Sequence, residues 1–112
     1  MDKRSVTSAK STRIERVGLA EGCWLHVAFD DDEDVVGTVA VDASAGEAAR
    51  ISWLVVDGRC ADADGVGAAL IAGAAKAAAA VGCTHLEARP HLRWAALGFT
   101  VGPSGKAVRK LP

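Results

Sequence analysis

A chain of 112 residues, half of them apolar and 24% charged, can close one modest core and reads as a single domain. Its formal charge of −1 excludes a broad basic face for nucleic acid, because binding of that kind needs many phosphate neutralisations. No apolar run stands behind the basic N-terminus, so neither a signal peptide nor a membrane span is expected.

The three cysteines, at 23, 60 and 83, are odd in number and widely spaced. That argues against a disulfide framework and for a cytoplasmic setting. Tyrosine, asparagine and glutamine are absent, which removes several usual side chains for polar work in a site.

Residues 1–11 are rich in Ser and Lys and are expected to form a flexible tail, leaving 12–112 as the domain. Thr12 to Leu19 alternates apolar and charged positions, as a half-buried edge strand does. Cys23 to Phe29 alternates too, with Cys23, Leu25, Val27 and Phe29 on one face and Trp24, His26 and Ala28 on the other. Asp30-Asp31-Asp32-Glu33-Asp34 is an acidic turn without the spacing of a calcium loop, and is read as a solvated hairpin. Val35 to Val41 is the next strand, with Gly37 at a bulge. A small-residue turn, Ala43 to Ala48, leads into the strand Ile51 to Val56, so the first half reads as an antiparallel meander.

The second half reads as strand, helix, strand. After the turn Asp57 to Asp64, Gly65-Val66-Gly67 opens a long alanine-rich helix. Its apolar positions Val66, Leu70, Ala74, Ala77, Ala78 and Val81 share one face at 3.6 residues per turn. Asp62 and Asp64 stand where N-caps belong, and Gly82 marks the stop. A glycine-flanked helix N-terminus turns unpaired N–H groups and the positive dipole end outward, which suits a phosphate. Lys76 is the only charged residue from Gly65 to Gly82, so either both sides of this helix are covered within the domain or one side meets another subunit, the second being favoured. His85 to Ala88 should lie parallel to the Ile51 strand through a right-handed crossover. Pro90 and His91 begin a short helical segment, Leu92 to Leu97. A last hairpin, Phe99 to Val101 and Lys106 to Leu111, follows Gly98.

Leu54-Val55-Val56-Asp57, Gly65-Val66-Gly67-Ala68-Ala69-Leu70, Leu97-Gly98-Phe99 and Arg109-Lys110-Leu111 occur in an order that resembles the GNAT family of acetyl-CoA-dependent N-acetyltransferases. The resemblance covers roughly Val35 to Pro112. It implies an α/β fold of the α+β type: a GNAT-like, mostly antiparallel sheet of six or seven strands, one long crossover helix and a short second helix. It implies acetyl-CoA as co-substrate, its pyrophosphate cradled at Asp62, Gly65, Val66, Gly67 and Ala68, and its pantetheine arm along the backbone of Leu54, Val55 and Val56. Where the family has a basic or amide residue to open the cradle, this chain has Asp62, and the turn is one residue longer. Family members also place one or two helices between their first two strands. Here only Gly18 to Gly22 intervenes, which implies an open acceptor site.

The activity so implied is acetyl transfer from acetyl-CoA to a primary amine, of a small molecule or a peptide. The alternative is a catalytically silent module of the same fold that binds a protein partner or senses an acyl-CoA. A base for the amine is sought at the strand ends that meet the cleft. His91, with a side chain that titrates near neutrality, and Glu87 are the candidates, with Asp57 nearby. Cys83 and His85 form only an isolated Cys-x-His, so no metal site is expected. The tryptophans at 24, 53 and 94 are read as core or interface residues. Sparse charge on the helix, together with the missing helices, points to a homodimer.

Overall fold

The alternation of the first half carries through into a meander. The computed structural model describes residues 12–44, 46–89, 94–103 and 105–111. Among them the strands are β1 (Arg13–Ala20), β2 (Cys23–Phe29), β3 (Val35–Asp42), β4 (Ala48–Val56), β5 (His85–Ala88), β6 (Thr100–Val101) and β7 (Ala107–Lys110). One helix, α1 (Ala63–Ala80), joins β4 to β5, and a 3-10 turn (Trp94–Leu97) precedes β6. The strands form one seven-stranded sheet in the order β1-β2-β3-β4-β5-β7-β6. Only β4 and β5 pair in parallel. The expected sheet and crossover helix are therefore present. The short second helix is the 3-10 turn, and the tail 1–11 and the start of that segment, His91 included, lie outside the described residues.

Opposed residues of an antiparallel pair point to the same side of the sheet. The pairings Trp24↔Val41, His26↔Val39 and Ala28↔Gly37 therefore put these six positions on one face, and α1 packs there. Of the two faces of β2, the less apolar one is inside: Trp24, His26 and Ala28 are buried. Leu25 and Val27 lie on the side that α1 does not cover, half-buried by their neighbours in the sheet. Leu70, Ile71 and Leu86 are fully buried between helix and sheet. Each contributes roughly 1.5–3 kcal/mol by leaving water.

Gly37 is not itself the extra residue of a bulge. The register shift in β3 falls between its partners Ala28 and Phe29, which makes Val36 the extra residue. Gly37 is small for a different reason: a Cβ there would stand 2.9 Å from Leu70 Cδ1 and 3.2 Å from Val66 Cγ1. The helix sits too close for a side chain.

α1 is capped at both ends by its own sequence. The Asp62 carboxylate accepts the Gly65 N–H at the start. At the end, the Gly82 N–H donates to Ala79 O and the Cys83 N–H to Ala78 O, with Gly82 at φ +94. That is the Schellman arrangement, which glycine adopts without the Cβ penalty. Val81 falls outside the apolar face expected for it and is 56% exposed, because the helix has already ended at Ala80. By length and composition Ala63–Ala80 is apolar enough to cross a membrane, contrary to the sequence reading. In this fold it is the core helix of the sheet, with Val66, Leu70, Ile71 and Ala74 among its buried residues.

His26 is the buried polar side chain beneath this helix. Its Nε2 accepts a hydrogen bond from Trp24 Nε1 at 2.7 Å, while Nδ1 faces Gly73. Desolvation first, and the Arg16 charge second, hold its pKa below the usual histidine value. The folded state thus binds this proton less readily than the unfolded chain does. Stability from this group is complete above about pH 6.5 and is lost as pH falls from there toward the lowered folded value. Urea unfolding midpoints measured from neutral pH down to pH 5 should decline for the parent chain. A His26→Leu variant should show a flatter profile over that interval, and equal slopes would disprove the assignment.

Candidate functional site

The sheet is not closed along its middle. β4 pairs with β5 only through Ala48↔His85, Ala49↔Leu86 and Arg50↔Glu87, whereas its pairing with β3 continues to Val56. Beyond Arg50, then, the β5-side edge of β4 faces a gap. At the mouth of that gap β4 carries a bulge: Ala40 pairs with Trp53 and Val41 with Ile51, leaving Ser52 as the extra residue. The in-out alternation slips there, with Ser52 and Trp53 both exposed. Bulges of this kind re-aim backbone and side chains and are frequent beside active sites.

A cleft of about 590 Å³ opens where the strands part, lined by Arg50, Ser52, Glu87, Arg89 and Lys106 among others. Glu87 is its best-held side chain. His85 Nε2 lies 3.1 Å from Glu87 Oε2, and Lys106 Nζ lies 3.6 Å from Glu87 Oε1. His85 Nδ1 in turn meets Thr84 Oγ1 at 3.0 Å. The hydrogen bond to His85 is the main cause that holds the Glu87 carboxyl below its ordinary pKa, with Lys106 adding to it against partial desolvation. Glu87 is thus ionised and oriented.

The other end of the gap is the N-terminus of α1. Asp62 Oδ1 accepts the Gly65 N–H at 3.1 Å. A Cβ on Gly65 would stand 2.1 Å from Asp62 Oδ2, so this glycine is what lets the carboxylate fold over the turn. Gly67 is buried, and a Cβ there would meet only Val56 Cγ2, at 3.8 Å. A methyl group would fit there, so the packing of the helix on β4 does not itself require this glycine; Val66 beside it is buried and Ala68 is exposed. On β4, Leu54 and Val56 pack toward the core and Val55 is on the open side. Asp57 is held below its usual pKa mainly by hydrogen bonds from the Arg59 side chain, then from the Arg59 N–H. Arg59 is itself 91% exposed at its side chain. Asp57, Arg59, Asp62 and Val66 border a second cavity of about 770 Å³, whose walls also include Asp30 and Asp34 of the β2–β3 turn.

The structure brings Glu87 to the cleft, and His91 lies outside the described residues. Arg50, Arg89 and Lys106 line the cleft without having been singled out from the sequence. Their signal would have been the register of β4 with β5, which no local pattern displays. His85 turns to Glu87 and not to Cys83, whose thiol is buried and donates to Gly46 O at 3.3 Å. Cys60 is half-buried against the core. Asp30, Asp32 and Asp34 come within 4.8 Å of one another. Asp30 Oδ1 accepts the N–H groups of Asp32 and Asp34, as a hairpin turn requires. Trp24 and Trp94 are in the core, and Trp53 is exposed, with its Nε1 donating to Thr38 Oγ1 at 3.2 Å.

No protein-family model matches this chain, and no curated protein matches it. Solved structures do. The IAA acetyltransferase of Bacillus cereus superposes with a TM-score of 0.73 at 16% identity, over 90% of this chain and 100% of that one. The GNAT family N-acetyltransferase YhbS of Escherichia coli, solved in complex with CoA, gives 0.64 at 20% identity over 80% of this chain. The N-acetylglutamate synthase of Neisseria gonorrhoeae, complexed with coenzyme A and N-acetyl-glutamate, gives 0.68 at 20% identity over 79% of this chain. This chain spans 59% of the length of the E. coli protein and 26% of the Neisseria one. The chain has the GNAT fold.

The Asp62 cap can be tested by itself. Asp62→Ala removes the acceptor of the Gly65 N–H and should lower stability by about 1 kcal/mol, read as a drop in the urea midpoint. An unchanged midpoint would mean that the cap contributes nothing.

Proposed function

We propose that this chain transfers an acetyl group from acetyl-CoA to a primary amine, with the reaction centred on the gap between β4 and β5. One observation carries the reading: β4 keeps its partner on one side to Val56 but leaves its other edge without β5 from Ile51 onward. Backbone donors and acceptors in such an edge seek a partner. An amide-bearing arm such as pantetheine supplies matching groups along Leu54, Val55 and Val56. The bulge at Ser52 aims backbone at the place where a carbonyl would gain negative charge, as oxyanion stabilisation needs. GNAT-fold neighbours solved with CoA support the co-substrate.

The chemistry then follows from the residues present. The ammonium of the acceptor is held by the ionised Glu87 carboxylate, which His85 and Lys106 keep in place, and gives up one proton to water. The amine nitrogen adds to the thioester carbonyl carbon. The C–N bond forms, the C–S bond breaks, and sulfur leaves with the electron pair and takes up the second amine proton. The phosphates of the co-substrate would lie at Gly65, Val66, Gly67 and Ala68, where the Asp62 carboxylate now holds one N–H. Arg59 gives the turn a cation of its own.

Calorimetric titration with acetyl-CoA, followed by turnover on an amine panel, tests this reading. Asp62→Arg should tighten acetyl-CoA binding by about tenfold, since it exchanges a repelling charge for an attracting one near the phosphates. Unchanged or weaker binding would place the phosphates elsewhere. Binding without turnover on any amine would favour the silent acyl-CoA-sensing module over the enzyme.

We also propose a homodimer, formed through the sheet face opposite α1. Ala75 is 4% exposed, so α1 turns much of its bland surface into its own domain and not toward a second subunit. The uncovered face carries an apolar row, Val17–Leu25–Ala40–Trp53, running across four strands. Val17, 45% exposed on the edge strand β1, is the end of this row farthest from the cleft, and the dimer contact lies there, leaving Trp53, 47% exposed, open beside the cleft. Sedimentation should show a dimer that Val17→Lys dissociates; a parent chain that stays monomeric at high concentration would refute it.

A further inference from the structure

The two cavities carry opposite charge. At the β5 end, among the described residues, Arg50, Arg89 and Lys106 line the cleft with Glu87 as its carboxylate. On the β3 side of β4, between the β2–β3 turn and the turn before α1, Asp30, Asp34, Asp57 and Asp62 line the other cavity with Arg59. For a chain with a net charge of −1 this is a strong segregation, and it makes the cleft an anion-attracting spot on a mildly acidic protein.

The cleft is not simply basic. Glu87 stands among the cations, with Lys106 Nζ 3.6 Å from its Oε1. A purely anionic ligand would meet the Glu87 charge, and a simple amine would meet three cations for one carboxylate. A ligand with an ammonium and a carboxylate on neighbouring atoms satisfies both signs at once, because its two charges are as close together as those of Glu87 and Lys106. Guanidinium forks also bind a carboxylate through two parallel hydrogen bonds. Beside the cleft-lining Ser52, on the open face, Trp53 offers an exposed apolar wall.

We propose that the acceptor is a free α-amino acid with an apolar side chain. Its carboxylate is held by Arg50, Arg89 and Lys106, its α-amino group faces Glu87, and its side chain lies toward Trp53. The proposal rests on the acyl-transfer reading above for what happens to the amine, but not for the binding itself. Arg50, Arg89 and Lys106 become specificity-determining residues.

The experiment uses a matched pair, L-leucine and isoamylamine, which differ by the carboxylate alone. Titration followed by amide NMR should move the Glu87, Arg89 and Lys106 resonances with L-leucine, and isoamylamine should bind at least about tenfold more weakly, the effect of losing charge-assisted hydrogen bonds. Arg89→Ala and Lys106→Ala should each shrink that ratio. Equal affinity for the two ligands, a ratio untouched by both variants, or free coenzyme A moving these resonances where L-leucine does not, would overturn the proposal. Formation of N-acetyl-leucine from acetyl-CoA is measured in parallel. Leucine binding without acetylation would remove the transferase reading and keep the amino-acid site. Acetylation of isoamylamine as fast as of leucine would keep the transferase and remove the site.

Discussion

Two parallel strands stay hydrogen-bonded only while they run about 4.8 Å apart, and β4 and β5 do so for three residue pairs. The connection fixes where that contact begins. α1 has 18 residues and β4 has 9, so a helix of about 27 Å returns the chain along a strand of about 30 Å. It sets β5 down beside the first residues of β4. β5 itself has only 4 residues and then gives way to the segment before the 3-10 turn. The far half of β4 is left with β3 on one side and a gap on the other. Everything proposed about chemistry depends on that unequal partnership.

The helix holds this arrangement because it lies close. Gly37 has no room for a side chain beneath Leu70, and Gly73 faces the His26 ring. Ala74, Ala75, Ala77 and Ala78 are buried, so the alanine-rich composition is largely explained within the domain, as close helix-on-sheet packing. The outward row, Ala68, Ala72, Lys76 and Ala80, is still poor in charge, but it is narrow. The wider apolar surface is across the sheet. The Glu21-Gly22 turn joins β1 directly to β2, so no helix from that connection covers it.

Much of this was legible because local physics agrees with the fold. The period-two pattern marks β2 within its observed bounds, Cys23–Phe29, and the strand expected to follow the helix is found at His85–Ala88. The caps at Asp62 and Gly82 follow from side-chain chemistry and the left-handed φ of glycine. What was not legible depends on pairing. The choice of the Trp24–His26–Ala28 face as the inner one follows from where α1 docks, since the opposite face of β2 is more apolar. The bulge at Ser52 exists only relative to β3, and the meeting of Arg50 with Glu87 only relative to β5. Those two registers create the cleft, and each joins residues far apart in the chain. The GNAT motifs pointed to the helix turn and missed the basic residues that line the cleft's mouth.

Asp62 is the place where the fold and the proposed function pull in opposite directions, and magnitudes show how hard. As an N-cap its carboxylate is worth about 1 kcal/mol to the helix. A phosphate taking the same N–H would make a charge-assisted hydrogen bond worth about 1.5–3 kcal/mol, and the helix dipole would favour it as it favours the carboxylate. The Asp62 charge, left nearby after rotation into water, would still repel, but at an exposed turn salt and solvent reduce that term strongly. The cap is therefore a modest competitor and not a barrier. It lets α1 keep a satisfied N-terminus when no anion is bound, which an empty phosphate turn otherwise lacks. By the same reasoning the acid at this position should weaken co-substrate binding without abolishing it, and it leaves the basic cleft at the other end of the gap as the stronger determinant of which anionic group is held there.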